Sequence, residues 1–179
     1  MEYKLQHATS NITSKNSHEV NHPLQDLDSL MEKPRNRTII AEKGLIPTIV
    51  HTLKTSGGSI NTCSALKCLN YLAKDSDHNK EAIVNAGAIN CAVKLLAQDE
   101  EADYAVSLLL ELSQNSAFSE RIGGAKNCIP FLVALLNSRN PQTSENAENV
   151  LENLSGNTKF VVSMTEANFF KPFIRLIAE

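Results

Sequence analysis

One short pattern of apolar side chains occurs three times in this chain and constrains its fold more than any other feature. The last copy runs from Ala147 to Leu154, with apolar residues at positions i, i+3, i+4 and i+7. This spacing places the four side chains on one face of an α-helix. The same pattern begins at Ala105, 42 residues earlier, and at Ala65, 40 residues before that. A helical stripe that recurs about every 40 residues predicts an array of helical repeats.

Each repeat is predicted to contain three helices. Gly44 and Gly87 suit the end of a first helix, because glycine tolerates positive φ. Ile46-Pro47 and Ile129-Pro130 suit the start of a second helix, where proline costs no hydrogen bond. The apolar stripes then form the third helices. In the first unit we expect helices at Thr38–Lys43, from Ile46, and at Ser59–Lys74. In the second unit we expect them at Lys80–Ala86, at Ile89–Ala97, and after Asp99 as N-cap. In the third unit we expect them around Gly123-Gly124, from Ile129, and from the N-cap Asn140 to Gly156, and in the fourth at Thr158–Ala167 and Pro172–Ala178.

Three helices in about 42 residues are typical of the armadillo repeat. The predicted fold class is therefore all-α, an armadillo-type right-handed superhelical solenoid of about three complete repeats and a truncated fourth. The predicted domain is 36–179, with units at about 36–77, 78–116, 117–157 and 158–179.

The N-terminal residues have a different composition. Residues 1–22 are polar, which predicts a disordered tail. Residues 23–35 contain one short amphipathic helix that Pro34 is expected to end. This helix is either the remnant of a preceding repeat's last helix or a cap over the first complete repeat.

Composition bounds the class of partner. The formal net charge of -3 makes nucleic acid a poor default partner, although charge can be segregated in three dimensions. The four cysteines lack the paired spacing of a zinc site and are interpreted as reduced thiols. No stretch suits a signal peptide or a transmembrane segment. We expect a cytoplasmic protein, with peripheral membrane or nuclear association left open.

Two junction motifs and one tail segment carry a family resemblance. Residues 40–47 (IAEKGLIP) and 83–89 (IVNAGAI), with 150–155 (VLENLS), are similar to the armadillo repeats of plant U-box proteins. Residues 161–172 (VVSMTEANFFKP) resemble a segment of that family's long, many-repeat branch. The resemblance covers roughly residues 35–179.

The resemblance implies a function in ubiquitin transfer. Family members resemble E3 ubiquitin ligases, whose U-box recruits the ubiquitin-loaded E2 and whose repeats bind a substrate or regulator. No segment outside the repeats is long and apolar enough for a U-box. The chain is therefore expected to be no enzyme and to need no cofactor. We expect a non-catalytic interaction module that binds a protein or peptide; the alternative is a fragment or regulator of a U-box ligase that serves as its substrate-binding part.

A groove lined by the third helices is the predicted binding site. With the stripes buried, the residues one and five positions before each final leucine point outward on one face. The next turn back adds one residue per helix. The candidate partner-binding residues are Ser64, Lys67 and Tyr71, then Tyr104, Ser107 and Glu111, then Asn146, Asn149 and Asn153.

Several alternatives stay open for these positions. Asn side chains can bond the backbone of an extended peptide, but Asn149 and Asn153 are also compatible with capping or inter-repeat bonds. The whole face can equally be solvated surface. Trp is absent, which disfavours a reader of nuclear-import signals. The truncated fourth unit leaves apolar residues uncovered, which predicts either self-association or dependence on a missing C-terminal extension. These residues are Phe169, Phe170, Phe173, Ile174 and Ile177.

Overall fold

The computed structural model describes residues 30–55 and 59–170, apart from the side chains at 59, 60 and 75. Within these ranges every regular element is an α-helix. The elements in chain order are α1 Pro34–Glu42, α2 Ile46–Thr55, α3 Ser59–Asp75, α4 Asp77–Asn85, α5 Ala88–Leu95, α6 Asp99–Ser113, α7 Ser116–Gly123, α8 Cys128–Leu135, α9 Pro141–Ser155 and α10 Thr158–Glu166. The predicted all-α class is confirmed. The tail 1–22, most of the segment 23–35 and the helix Pro172–Ala178 lie outside the described residues.

The chain divides into two compact units, and the division falls within α5, between Cys91 and Ala92. In the first unit, α3 packs against α1, α2 and α4. In the second unit, α9 packs against α6, α8 and α10. The long third helices α3, α6 and α9 are therefore the elements on which the shorter helices pack.

The three apolar stripes form the core of these units. All four stripe residues of α3, of α6 and of α9 have 0% relative exposure. Burying a valine or leucine side chain contributes about 1.5–3 kcal/mol to stability. The prediction that the repeated stripe is the buried face of each third helix is confirmed.

The predicted helix ends are mostly confirmed. Gly44 (φ +67°) and Gly87 (φ +90°) occupy the left-handed region after α1 and α4. Ile46-Pro47 opens α2. Asn140 caps α9, because its side chain accepts a hydrogen bond from the Gln142 backbone N–H, and Pro141 is the first helical residue.

Three predicted ends are wrong. Helix α4 begins at Asp77, three residues before the predicted Lys80. The N-cap of α6 is Gln98, without a side-chain bond, and Asp99 lies inside the first turn. Asp99 therefore acts on the helix dipole and does not cap the helix. Pro34 is the first residue of α1, so this helix begins four residues before the predicted Thr38. Proline at this position loses no intrahelical bond.

One buried asparagine contact repeats along the first unit. The Asn79 amide donates to the Leu72 carbonyl near the end of α3 (3.0 Å). The Asn36 amide donates in the same way to the Leu30 carbonyl (2.7 Å). Leu30 and Met31 are helical. The two contacts are therefore equivalent, and the assignment of residues 23–35 as a remnant or a cap stays a prediction.

The apolar C-terminal residues are described only in part. Phe169 and Phe170 are half-buried, and their rings meet edge to face at 4.8 Å. Phe173, Ile174 and Ile177 lie outside the described residues, so self-association through this end stays a prediction.

Two glycines of the second unit allow a matched test of packing. A Cβ at Gly123 would lie 2.8 Å from the ring of Phe160, a side chain with 1% exposure, whereas a Cβ at Gly156 would meet nothing within 4 Å. We expect Gly123→Ala to lower the free energy of unfolding by about 1–3 kcal/mol. Gly156 has an ordinary helical φ of -59°, so Gly156→Ala should preserve stability or raise it by up to about 1 kcal/mol. Urea denaturation measures the free energy of unfolding of both variants. Equal effects of the two substitutions would contradict the close approach of Gly123 in α7 to Phe160 in α10.

Candidate functional site

The nine predicted binding residues all lie on the third helices. Ser64, Lys67 and Tyr71 are on α3 in the first unit, and the other six are on α6 and α9 in the second unit. Because each unit is a separate compact body, the site is built up one unit at a time.

In the first unit, two of the three predicted residues are less accessible than expected. Ser64 has 5% exposure and does not point outward, which corrects the prediction. The guanidinium of Arg37 lies over the Tyr71 ring, 4.9 Å from its centroid. Arg37 also donates to the backbone carbonyls of Met31 and Glu32. This cation–π contact occupies one face of the tyrosine ring.

In the second unit, α6 and α9 are joined by side-chain hydrogen bonds, which begin at Asp103. The Asp103 carboxylate accepts from the Asn140 amide (2.8 Å) and from the Thr143 hydroxyl. Thr143 is 2% exposed. Bonds to a carboxylate are among the stronger hydrogen bonds in proteins, and they satisfy a buried hydroxyl that would otherwise be costly.

Two asparagines of α9 continue these contacts. The Asn146 amide donates to the Ser107 hydroxyl (3.0 Å), and the Asn153 amide donates to the Ser113 hydroxyl (2.9 Å). The serine hydroxyls in turn donate to carbonyls of α6 itself, at Asp103 and Leu110. Each serine therefore acts as donor within α6 and acceptor from α9. We call these contacts, from Asp103 to Asn153, the hydrogen-bond ladder.

The ladder changes the role of the predicted asparagines. Asn146 has 8% exposure, so the prediction that it points outward is wrong. Its amide group is also engaged on the acceptor side, by the Gln142 side chain (3.1 Å). Asn153 is exposed, yet its amide donates a hydrogen bond to Ser113 of α6. Of the alternatives left open by the sequence, inter-repeat bonding is the one observed for Asn153.

Asn149 differs from its two neighbours. It lies one turn after Asn146 and one turn before Asn153, between two contacts of the ladder. It is half-buried, and its side chain forms no hydrogen bond with any residue that the structure describes. The Glu111 carboxylate on α6 is likewise half-buried and unbonded within the described ranges. These two groups remain available to a ligand.

A cleft opens at the N-terminal end of α6. Its volume is about 630 Å³, and it lies within the second unit. The walls combine apolar residues, such as Leu96, Ala102 and Leu135, with the polar side chains of Asp99 and Arg139. Neither Asp99 nor Arg139 forms a hydrogen bond or ion pair with the residues described.

The cysteines and the potential metal ligands form neither a disulfide nor a metal-binding cluster in the described part. None of the four cysteines forms a disulfide. Burial raises the pKa of the Cys128 thiol to about 12, so this thiol is protonated and weakly nucleophilic at neutral pH. Across 30–55 and 59–170, no three His, Cys, Asp or Glu side chains are grouped closely enough to hold a metal ion. No helix in these ranges is long and apolar enough to cross a membrane.

Solved structures with this arrangement define the class of fold. A designed armadillo repeat protein in complex with the peptide (KR)4 has a TM-score of 0.78 at 19% identity, covering 98% of this chain and 74% of its own. A computationally designed armadillo repeat protein for modular peptide recognition has a TM-score of 0.81 at 20% identity. The match covers 98% of this chain and 75% of the designed one. The chain therefore has the armadillo-repeat fold, as its sequence predicted.

The relatives in sequence are plant U-box proteins. U-box domain-containing protein 43 of Arabidopsis thaliana is 29% identical over 147 residues, which are 80% of this chain and 18% of that protein. U-box domain-containing protein 24 of Oryza sativa subsp. japonica is 29% identical over 143 residues, which are 78% of this chain and 17% of that protein. The resemblance inferred from the junction and tail motifs is confirmed. No protein-family model matches the chain. The chain spans less than a fifth of the length of these relatives.

The ladder predicts unequal effects on stability for substitutions at two neighbouring asparagines of α9. Removing the Asn146 side chain breaks bonds to Ser107 and Gln142 in a buried site, so Asn146→Ala should lower the free energy of unfolding by about 1–3 kcal/mol. Asn149→Ala removes an unbonded amide, so it should change the free energy of unfolding by less than about 0.5 kcal/mol. Urea denaturation of both variants measures the difference. A loss at Asn149 as large as that at Asn146 would contradict the distinction.

Proposed function

We propose that this chain is a protein-interaction scaffold, which binds an extended segment of a partner protein along its third helices and catalyses no reaction itself. The observation that carries the proposal is the unbonded, half-buried amide of Asn149 between two occupied asparagines. An amide side chain offers one acceptor and two donor hydrogens, which match the backbone N–H and C=O of an extended peptide. A ligand that hydrogen-bonds the Asn149 amide therefore supplies partners for its oxygen and nitrogen, which form no bond with α6.

The structural neighbours support peptide binding on this fold. One is a designed armadillo protein in complex with a peptide, and another was designed for modular peptide recognition. The candidate surface in the second unit is narrower than the sequence predicted, because Asn146 and Asn153 serve the ladder. It consists of Asn149 and Glu111, flanked by Tyr104 and Ser107 on α6. In the first unit, Lys67 and Tyr71 stay as candidates.

The sequence relatives suggest the cellular context. Because they are U-box domain-containing proteins, we place the scaffold in a ubiquitin-ligase-related, cytoplasmic setting, where it selects the protein to be modified. The second candidate function is a piece or regulator of a U-box ligase. The resemblance of residues 161–172 to the many-repeat branch of that family favours it.

Selection from a random peptide library tests the scaffold proposal. Linear peptides displayed on phage are selected on the 179-residue chain, and the affinities of enriched peptides are then measured for wild type and Asn149→Ala. We expect enriched peptides to lose affinity about tenfold in Asn149→Ala, because one or two backbone bonds are lost. Asn90→Ala, on an exposed position of α5, is the matched control and should retain full affinity.

Two outcomes would overturn the proposal. One is a library that yields no binder. The other is a set of binders that Asn149→Ala and Asn90→Ala affect equally. The absence of catalysis has its own assay: the purified chain with E1, E2, ubiquitin and ATP should form no ubiquitin conjugates above background.

A further inference from the structure

A second cleft lies in the first unit, between helices α1 and α4 and the start of α2. Its volume is about 500 Å³, within the range of about 300–1,000 Å³ that is typical of ligand pockets. None of the residues described on α3 lines it. The cleft is therefore separate from the candidate residues Lys67 and Tyr71 of the third-helix face.

One buried amide interrupts the apolar walls of this cleft. Ala41, Ile46 and Ala82 line it together with Asn79, which has 7% exposure. The Asn79 amide nitrogen donates to the Leu72 carbonyl (3.0 Å), and this bond fixes which way the amide points, because a carbonyl can only accept. The amide oxygen accepts no hydrogen bond from any residue that the structure describes. It is the atom of this buried amide that is left for an occupant of the cleft.

The second unit contains a cleft of the same kind that lacks this acceptor. Its volume is about 480 Å³, and Ile129-Pro130 lines it as Ile46-Pro47 lines the first cleft. The third residue of α4 is Asn79, whereas the third residue of α10 is Phe160, with 1% exposure. The amide-bearing, hydroxyl and carboxylate residues that line the second cleft are all half-buried or exposed: Asn127, Ser163 and Glu166. The chain thus offers an internal control for the buried acceptor.

The apolar walls and the buried acceptor together specify the chemistry of an occupant. The walls suit a large apolar body, and the Asn79 oxygen requires an N–H or O–H donor. An indole ring combines such a body with one N–H donor and no acceptor, so it buries no polar atom that lacks a partner. A lysine also donates, but burying its ammonium group without a buried carboxylate is costly. Glu42, the carboxylate residue among the described lining residues, is exposed.

We propose that this cleft is a second interaction site, which binds a tryptophan side chain of a partner protein. The indole ring packs against Ala41, Ile46 and Ala82, and its N–H donates to the Asn79 oxygen. Tryptophan is enriched among the residues that contribute most to protein interfaces, where it fills desolvated pockets. The site does not depend on peptide binding along the third helices, so the two proposals can fail separately.

Binding of matched tripeptides tests this proposal. The probe is acetyl-Gly-Trp-Gly-amide, and the controls carry tyrosine, phenylalanine or benzothienylalanine in place of tryptophan. Benzothienylalanine has nearly the shape of tryptophan, but a sulfur atom replaces the indole N–H. The chain contains no tryptophan of its own, so the fluorescence of the probe reports binding without background. Amide spectra of the ¹⁵N-labelled chain show which residues respond.

Three variants accompany the probes. Ala82→Leu narrows the first cleft without removing the Asn79 side chain, and Ala125→Leu is the matched control, at a half-buried alanine that lines the second cleft. Asn79→Phe removes the acceptor and introduces the residue that α10 has at the same position. Urea denaturation verifies that each variant folds.

We expect the tryptophan tripeptide to bind with a Kd on the order of 1 mM, as for a single anchoring side chain. The benzothienylalanine tripeptide should bind at least about fivefold more weakly, because it cannot donate to Asn79. Ala82→Leu and Asn79→Phe should each weaken binding of the tryptophan probe about tenfold, and Ala125→Leu less than about twofold. Amide shifts should be largest at Ala41, Gly44 and Ala82.

Several outcomes would overturn the proposal. One is equal affinity for the tryptophan and benzothienylalanine tripeptides, and another is equal or tighter binding of the tyrosine tripeptide. Amide shifts of equal size at the second cleft, or undiminished binding by a folded Asn79→Phe chain, would also refute the site. If Asn79→Phe does not fold, the comparison of the tripeptides decides. A response at Lys67 and Tyr71 in place of the cleft refutes this site and leaves the third-helix scaffold standing.

Discussion

The hydrogen-bond ladder between α6 and α9 is the interaction on which the candidate site depends. The apolar stripes bury each third helix against its neighbours, but a contact between aliphatic side chains tolerates small shifts along the helix axis. Thr143 donates to Asp103, Asn146 to Ser107 and Asn153 to Ser113, and each of these bonds has a direction and a fixed partner. A shift of one turn would leave several polar groups unbonded, among them the buried Thr143. The ladder therefore fixes the register of α9 on α6, in which Asn149 lies between the contacts of Asn146 and Asn153.

This arrangement separates two functions that sequence alone cannot distinguish. Asn146, Asn149 and Asn153 have similar spacing and identical side chains. Two of them hold neighbouring repeats together, and the third is available to a ligand. The free energy of the ladder resides in groups that a partner does not need to touch. The stability of the second unit and its affinity for a peptide can consequently be changed by different substitutions, which is useful for experiments on either property.

Most of the fold was predictable from the sequence because it follows from periodic signals. The stripes at Ala65, Ala105 and Ala147, and the glycines after the first helices, report local geometry that recurs every 40–43 residues. The site was less predictable, because the bonding of a polar side chain depends on what lies opposite it. Ser64 and Asn146 were assigned to the outer face from helical spacing, yet neighbouring elements bury them. Asp103 and Ser113 were missed. Their signal was the pairing of hydrogen-bonding residues 40 positions apart, at 103 and 143 and at 113 and 153.

Asn149 differs from Asn146 and Asn153 in that its amide forms no hydrogen bond with any described residue. Side-chain amide NMR spectra of the ¹⁵N-labelled chain, recorded with and without a peptide enriched from the library, test this difference most directly. We expect slower solvent exchange for the buried Asn146 amide and for the Asn153 amide hydrogen that bonds Ser113 than for the amide of Asn149. The peptide-induced shift and protection should be largest at Asn149. Fast exchange at all three, or a peptide response at Asn146 and Asn153 with none at Asn149, would contradict it.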